Sequence, residues 1–216
     1  MKGDKIPVNV LCTQVLANLS PSLQKELKLP QGHSAVAFLS TDCDDATYLA
    51  LDEATKAAQV EVVYGRSLYA GAKNASTALA GEVIGVLSGP NPAQVESGLR
   101  AATRFLEQDG AFRSANDTDD VVYLAHCVSR TGTYLSRMAN VAEGVALAYL
   151  IAPPVEAMMG LDAALKAADV ELALFFPPPS ETNFAGGLLS GSQSACMAAC
   201  EAFSRAVERV AANPKV

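Results

Sequence analysis

The sequence has no long apolar run, few histidines and too few basic residues to balance its acidic ones. No stretch approaches the roughly 18 to 20 apolar residues of a membrane-spanning helix, and no apolar segment follows the charged N-terminus. The net charge of −7 argues against nucleic acid and anionic membranes as partners, because both bind basic surfaces. We therefore expect a cytosolic protein, and its acidic charge is compatible with a cationic ligand.

Signatures of common catalytic and nucleotide-binding folds are also missing. The chain has no Gly-x-Gly-x-x-Gly, no Gly-x4-Gly-Lys-Ser/Thr and no Gly-x-Ser-x-Gly, which argues against a parallel nucleotide-binding sheet. His33 and His126 are the only histidines. His126 and Cys127 are neighbours on a predicted strand, so their side chains point to opposite faces and cannot pair directly. A metal site that joins either of them to Asp45 requires the fold to bring the residues together.

The five cysteines favour reduced thiols in a reducing compartment. They form neither an even disulfide framework nor a Cys-x-x-Cys pair, and they are Cys12, Cys43, Cys127, Cys196 and Cys200. Cys196 and Cys200 stand four apart in an alanine-rich predicted helix, a spacing that indicates packing as small buried side chains.

One segment of the sequence is repeated in the second half of the chain. Residues 51–62 (LDEATKAAQVEV) return in the second half as residues 161–172 (LDAALKAADVEL), with eight of twelve positions identical. Each copy predicts a short amphipathic helix that runs into a strand, with an Asp and a Lys four apart on its polar face (Asp52 with Lys56, Asp162 with Lys166). Two copies separated by about half the chain length indicate two similar domains rather than a solenoid.

The pattern around each copy predicts the same order of elements in both halves. In the first half we predict strands at 8–16, 34–40, 60–64 and 83–88, and helices at 21–27, 51–59 and 91–107. In the second half we predict strands at 119–128, 146–151, 170–176 and 188–191, with helices at 161–169 and 193–211. This order permits an antiparallel sheet covered by helices on one face, which is an α+β fold.

Two stretches rich in small residues predict long loops. Residues 65–82 are polar and glycine-bearing, and residues 177–187 combine a triproline with Gly186 and Gly187. The prolines fix an extended entry, and we expect the two glycines to free the exit. Loops of this length are usually functional.

An acidic stretch lies between strand and repeated helix in the first half. Residues 41–45 read TDCDD, whereas the second half has Ala152, Pro153 and Pro154 there. One interpretation is helix capping and solvation. The other is a small acidic patch for a cation or an ammonium group, and the asymmetry between the halves favours it.

These segments resemble the shell-domain family of bacterial microcompartments. The resemblance lies in the repeated helix and in the segments GEVIGVLSG and NPAQV that follow its first copy. It extends over the chain through EVVYGRSLYAG (61–71), LAH (124–126), VSRTG (128–132) and PPPSETN (177–183). Together these motifs look like the tandem, trimer-forming class, in its ethanolamine-utilisation branch.

The resemblance implies a structural shell protein and not an enzyme. It implies two circularly permuted shell domains, at residues 1–113 and 114–216, in a homotrimer that forms a flat pseudohexamer and tiles with other shell proteins. The two long loops then surround a gated central pore. The residues it assigns to these loops are Tyr69, Lys73, Asn74, Ser180 and Glu181.

The resemblance also implies small pores that bind ethanolamine. The matching positions are Asp45, Glu82, Phe112, Thr182, Asn183 and Phe184, with Asp44, Asp45 and Glu82 as an acidic patch. Carboxylates pair with the ammonium group, a ring offers a face or an apolar wall, and a hydroxyl or amide bonds the alcohol. Without the resemblance, Glu82 reads as a solvated loop-end charge and the two phenylalanines read as core or interface aromatics. Family members are linked to cobalamin and zinc, but we assign no cofactor and no metal residue.

Two other functions fit the residues alone. One is a small-molecule-binding regulatory protein with duplicated α+β domains. The other is an enzyme of amine metabolism that uses Asp44, Asp45 and His126. Particles of hexagonal outline that pack edge to edge are expected of the shell protein alone.

Overall fold

The computed structural model describes residues 1–67, 83–178 and 184–215. Its elements, in chain order, are strands β1 (Lys5–Ile6) and β2 (Val10–Leu16), helix α1 (Pro21–Glu26), β3 (Ala35–Thr41), α2 (Asp44–Ala57), β4 (Glu61–Ser67), β5 (Val83–Gly89), α3 (Pro92–Gln108), β6 (Phe112–Ser114), β7 (Val122–Val128), α4 (Thr133–Ala139), β8 (Ala146–Ala152), α5 (Pro154–Ala167), β9 (Val170–Phe176), β10 (Ala185–Gly191) and α6 (Gln193–Ala212). No helix among these residues has the length and apolar character needed to span a bilayer.

The chain divides into two compact units that exchange short segments. Unit 1 comprises Met1–Ile6, Ala111–Thr131 and Ser136–Val216, and unit 2 comprises Pro7–Gly110 and Gly132–Leu135. These units differ from the contiguous ranges 1–113 and 114–216 at the N-terminus and near residues 111 and 132. The assignment of those ranges as two shell domains stays a prediction.

Unit 2 is an antiparallel sheet with two helices on one face. The strand order is β2-β3-β5-β4, and α2 and α3 pack on it around a core that includes Leu51, Leu87 and Val95. Helix α3 begins where predicted, because Asn91 caps it by accepting a hydrogen bond from the backbone N–H of Gln94 at 3.1 Å.

Unit 1 repeats this arrangement with a longer sheet. The strand order is β1-β6-β7-β8-β10-β9, antiparallel throughout. Helices α5 and α6 cover one face around Leu150 and Phe203. Gly160 lets α5 and α6 approach closely, because a Cβ at this position would lie 2.6 Å from the Phe203 ring. The α+β fold with antiparallel sheets and the duplication are confirmed.

The two units share element order and spacing. Strand β2 and helix α1 precede β3, just as β7 and α4 precede β8, and the strand and the short helix start equally far apart in both units. Helix α2 likewise follows β3 as α5 follows β8. A strand and short helix at the front of each copy is the order expected of a permuted shell domain.

The structure corrects both predicted loops at their ends. Residues 65–67 belong to strand β4, and Gly186 and Gly187 belong to strand β10 rather than to a flexible exit. A Cβ at Gly186 would lie 1.9 Å from the Leu150 carbonyl oxygen, and one at Gly187 would lie 2.6 Å from the Leu174 oxygen. These glycines therefore allow close strand pairing.

Candidate functional site

The acidic stretch forms the start of helix α2. The hydroxyl oxygens of Thr41 and Thr47 lie 2.6 Å apart, and both lie within hydrogen-bonding distance of the carbonyl oxygen of the N-cap residue Cys43, at 2.9 and 2.7 Å. Asp44 and Asp45 occupy the first turn and are both buried. Both residues therefore lie at the N-terminal, positive end of the helix dipole.

Asp42 has a different role from its two neighbours. Its carboxylate accepts the Asn9 backbone N–H at 2.8 Å and the Asn9 side-chain amide at 2.6 Å. It therefore secures the residues that lead into β2, a structural role different from the helix capping and solvation that the sequence suggested.

Asp44 anchors the end of strand β4. Its Oδ2 atom accepts a hydrogen bond from the hydroxyl of Ser67, the last residue of the strand, and Oδ1 accepts the Asp45 backbone N–H at 2.8 Å. The Tyr48 hydroxyl donates to the same Ser67 oxygen at 3.2 Å. These hydrogen bonds between hydroxyl and carboxylate groups thus fix the C-terminal end of strand β4.

Two tyrosines pack beside this group within unit 2. The Tyr48 and Tyr134 ring centroids are 6.1 Å apart with a 53° tilt. Gly65 leaves room for the second ring, since a Cβ there would lie 2.7 Å from the Tyr134 hydroxyl. Burial raises the pKa of the Tyr134 phenol, and Tyr48 adds to this increase.

In unit 1 the fold brings together the two phenylalanines that the resemblance assigns to ethanolamine. Phe112 begins β6 and Phe184 directly precedes β10, and their ring centroids are 5.8 Å apart with a 53° tilt. This tilted geometry is favourable for an aromatic pair. Phe112 is buried and Phe184 is half-buried, so the pair presents part of one ring to its surroundings.

The remaining site predictions lie outside the described residues. These are Glu82, Thr182 and Asn183 of the ethanolamine set, and Tyr69, Lys73, Asn74, Ser180 and Glu181 of the pore loops. Of the residues described, Asp44 and Asp45 lie in unit 2, whereas Phe112 and Phe184 lie in unit 1.

The repeated Asp–Lys pair has two different environments, although the sequence predicts a polar face for both. Asp162 is exposed and pairs with Lys166 at 2.6 Å. The side chain of Asp52 is only 1% exposed, and it accepts backbone N–H groups from Gly132 at 2.8 Å and Leu135 at 2.9 Å. The local pattern is the same in both copies, so no sequence signal distinguishes the buried carboxylate.

The histidines and cysteines do not form a metal centre in the part of the chain that is described, where no cluster of three His, Cys, Asp or Glu side chains could hold an ion. His33 bonds the Ser88 hydroxyl at 2.9 Å. Cys127, Cys196 and Cys200 lie within or against the unit 1 core. Burial raises the pKa of all three thiols, that of Cys196 to about 11, which favours their protonated form.

Comparison with known proteins places this architecture in a family. The BMC domain model matches residues 35–116, from the start of β3 through β6. The bacterial microcompartment shell protein EutL of Clostridium perfringens is 61% identical over 214 residues, which cover 99% of each chain. EutL of Escherichia coli is 53% identical over 211 residues, which cover 98% of this chain and 96% of its own. The crystal structure of the ethanolamine utilization protein EutL from Leptotrichia buccalis has 62% identity and a TM-score of 0.97, and it covers 100% of both chains. The chain therefore belongs to the EutL family of bacterial microcompartment shell proteins.

Proposed function

We propose that three copies of this chain form a flat pseudohexamer that tiles, with other shell proteins, into the shell of an ethanolamine-utilising microcompartment. Two units with the same element order in one chain support this proposal, because three such chains supply six similar domains around one axis. The relatives with 61% and 53% identity are named as shell proteins, and that of Leptotrichia buccalis, with 62% identity, is described as an ethanolamine utilization protein.

The proposed tile has a gated central pore and smaller pores that bind ethanolamine. The loops at 68–82 and 179–183 surround the central pore. Asp44 supports the gate, because its bond to Ser67 fixes one end of the first loop.

For ethanolamine, Asp45 and Glu82 pair with the ammonium group, and Thr182 or Asn183 bonds the hydroxyl. The Phe112–Phe184 ring pair forms an apolar wall or offers a ring face to the cation. Asp45 carries the argument, because a buried carboxylate in the first turn of a helix is a strong partner for an ammonium ion.

The proposed role is a wall and selective gate, not a catalyst. The described residues do not fit zinc, since they include no group of three suitable ligands and burial keeps Cys196 and Cys200 protonated. We propose no bound cofactor, cobalamin included, as a requirement for the shell role.

Isothermal titration calorimetry with ethanolamine tests the binding site. We expect weak binding to the wild-type protein and a loss of at least roughly tenfold in affinity for Asp45→Asn and for Glu82→Gln, because each removes a charge-assisted bond. The control is Glu201→Gln, which removes an exposed carboxylate paired with Arg205 on helix α6. Unchanged affinity in both site variants would reject the site.

Two further ligands separate the chemical groups. Propylamine lacks the hydroxyl and ethanol lacks the ammonium group. We expect propylamine to bind more tightly than ethanol, because the carboxylates contribute most of the affinity. Tighter binding of ethanol would contradict the assignment of Asp45 and Glu82.

A further inference from the structure

Helix α5 presents an apolar stripe to its surroundings in unit 1. Val155 is 65% exposed and Met159 is 47% exposed, and Met158 and Leu165 are also exposed. The four residues follow helical spacing and lie on one side of α5, together with the exposed carboxylate of Asp162. Several exposed apolar side chains on one side of a helix, with a polar residue among them, are typical of an interaction surface.

The equivalent surface of helix α2 is covered. When the two copies of the repeat are aligned, Met159 corresponds to Leu49, which is 2% exposed, and Asp162 corresponds to the buried Asp52. The two helices derive from the same repeat and begin and end at equivalent positions. Their different exposure therefore reflects a covering segment that α2 has and α5 lacks.

The covering segment of α2 is residues 132–135. Besides the two bonds to Asp52, the Thr133 N–H donates to the Thr55 hydroxyl at 3.1 Å, and the Tyr134 ring packs against Tyr48. Four consecutive residues thus follow one side of α2 over about two turns.

The first half of the chain has an equivalent of this segment that is exposed. When β2 is aligned with β7 and α1 with α4, residues 132–135 correspond to residues 20–23. Leu135 is fully buried, whereas its counterpart Leu23 is 51% exposed. The chain therefore has one exposed helix face, on α5, and one exposed segment, at residues 20–23. They correspond to α2 and residues 132–135, which are in contact with each other in the same chain.

We propose that residues 20–23 of one copy of this chain cover helix α5 of a neighbouring copy, as residues 132–135 cover α2. This inference rests on the proposed homotrimer and names the surfaces that build it. The contact is heterologous, because the segment and the helix are different surfaces, and such contacts close into a ring when the rotation matches.

The chemistry of the two surfaces fits this contact. Leu23 packs on Met158 and Met159, whose flexible side chains adapt to irregular apolar surfaces. Asp162 accepts backbone N–H groups of Ser20 and Leu23 of the neighbouring copy, in the manner of Asp52 with Gly132 and Leu135. The contact removes large apolar side chains from water on both partners.

The mass of the native protein in single-residue variants tests the contact. Leu23→Glu and Met159→Glu each place a charge in the buried centre of the interface, on opposite partners. We expect either variant to raise the concentration for half-dissociation of the trimer by at least roughly 30-fold, as for an interface hot spot. Light scattering coupled to size exclusion measures the mass, and thermal unfolding checks that each variant folds.

The control is Met197→Glu, on helix α6. Met197 is as exposed as Leu23, but its counterpart in the alignment of helices α3 and α6 from their first residues is Glu96, which is exposed in unit 2. The covered face therefore does not extend to this position, and we expect Met197→Glu to remain trimeric.

Mixing the two interface variants gives a second test. A Leu23→Glu chain keeps an intact α5, and a Met159→Glu chain keeps an intact segment at 20–23, so one sound interface forms between them. We expect heterodimers in native mass spectrometry of the mixture and monomers of each variant alone.

The outcomes separate this inference from the proposed function. Trimers in the wild type and in both folded variants would overturn the assigned surfaces and leave the shell tile intact. A wild type that is monomeric at all concentrations would overturn the tile itself.

Discussion

Substitution of Asp52 tests directly how residues 132–135 are held on helix α2, the copy of the repeated helix whose aspartate is buried. The Asp52 side chain is almost completely buried and accepts two backbone N–H groups from residues 132–135, and the Lys56 ammonium lies 3.3 Å away. Asp52→Asn preserves the shape of the side chain. The new amide nitrogen is a donor, however, so either Gly132 or Leu135 loses its acceptor.

The expected loss follows from these contacts. A hydrogen bond to a charged group contributes about 1.5 to 3 kcal/mol, and a buried donor without an acceptor costs a similar amount. Lys56 keeps Glu53 as a second partner, which limits the cost of losing its first one. We therefore expect Asp52→Asn to lower the local stability of residues 132–135 by about 2 to 3 kcal/mol.

Hydrogen exchange followed by mass spectrometry measures this change in local stability directly at residues 132–135. A loss of about 2 to 3 kcal/mol corresponds to exchange of the Gly132 and Leu135 amides that is roughly 30- to 150-fold faster. Glu201→Gln is the matched control, because it removes a carboxylate from an exposed i,i+4 pair on helix α6. Such pairs contribute about 0.3 to 0.5 kcal/mol, so protection of the segment stays as in the wild type.

Unchanged protection of residues 132–135 in a folded Asp52→Asn protein would refute this reasoning. It would mean that packing alone holds the segment and that the buried carboxylate contributes little. Faster exchange throughout unit 2 would also contradict it, because the predicted effect is local.

Two further predictions concern close packing and thiol chemistry. Gly186→Ala places a Cβ 1.9 Å from the Leu150 oxygen and should lower the free energy of unfolding by more than about 3 kcal/mol. Gly98→Ala meets only side-chain methyl groups, of Val60 at 3.1 Å and of Leu87 at 3.4 Å, and with the helix preference for Ala it should change this free energy by less than about 1 kcal/mol. Equal shifts in urea unfolding would contradict this. At pH 8 the raised pKa of about 11 leaves about one Cys196 thiol in a thousand ionised, so maleimide should label this residue at least a hundredfold more slowly in the native protein than in denaturant, and equal rates would contradict its burial.

The elements with strong local patterns were predictable from the sequence. Helix α3 has a capping Asn91 followed by proline and regular apolar spacing, and α6 has a long alanine-rich pattern; both appear close to their predicted bounds. The order of strands and helices permitted antiparallel sheets but did not require them. Strands β3 and β4 are joined through helix α2, and only the placement of β5 between them makes the neighbouring strands antiparallel.

The elements that depend on distant partners were missed. Strands β1 and β6 are two and three residues long, and they form because Lys5 pairs with Arg113 and Ile6 with Phe112, far away in the sequence. Helix α4 was also missed, because its start is held by Asp52 rather than by a local capping pattern.

The candidate site was predictable in residue type but not in geometry. The acidic stretch suggested Asp44 and Asp45 as one patch, but Asp44 is engaged by Ser67, a contact between distant positions of the sequence that no local pattern shows. The tilted contact between Phe112 and Phe184 likewise depends on how strands β6 and β10 are arranged in the sheet.

Negative-stain electron microscopy of the purified wild-type protein tests the central claim most directly. We expect flat particles of hexagonal outline with three-fold symmetry, each containing three chains of 22.4 kDa, that pack edge to edge at high concentration. Single globular particles of one chain, without a three-fold axis at any concentration, would contradict it.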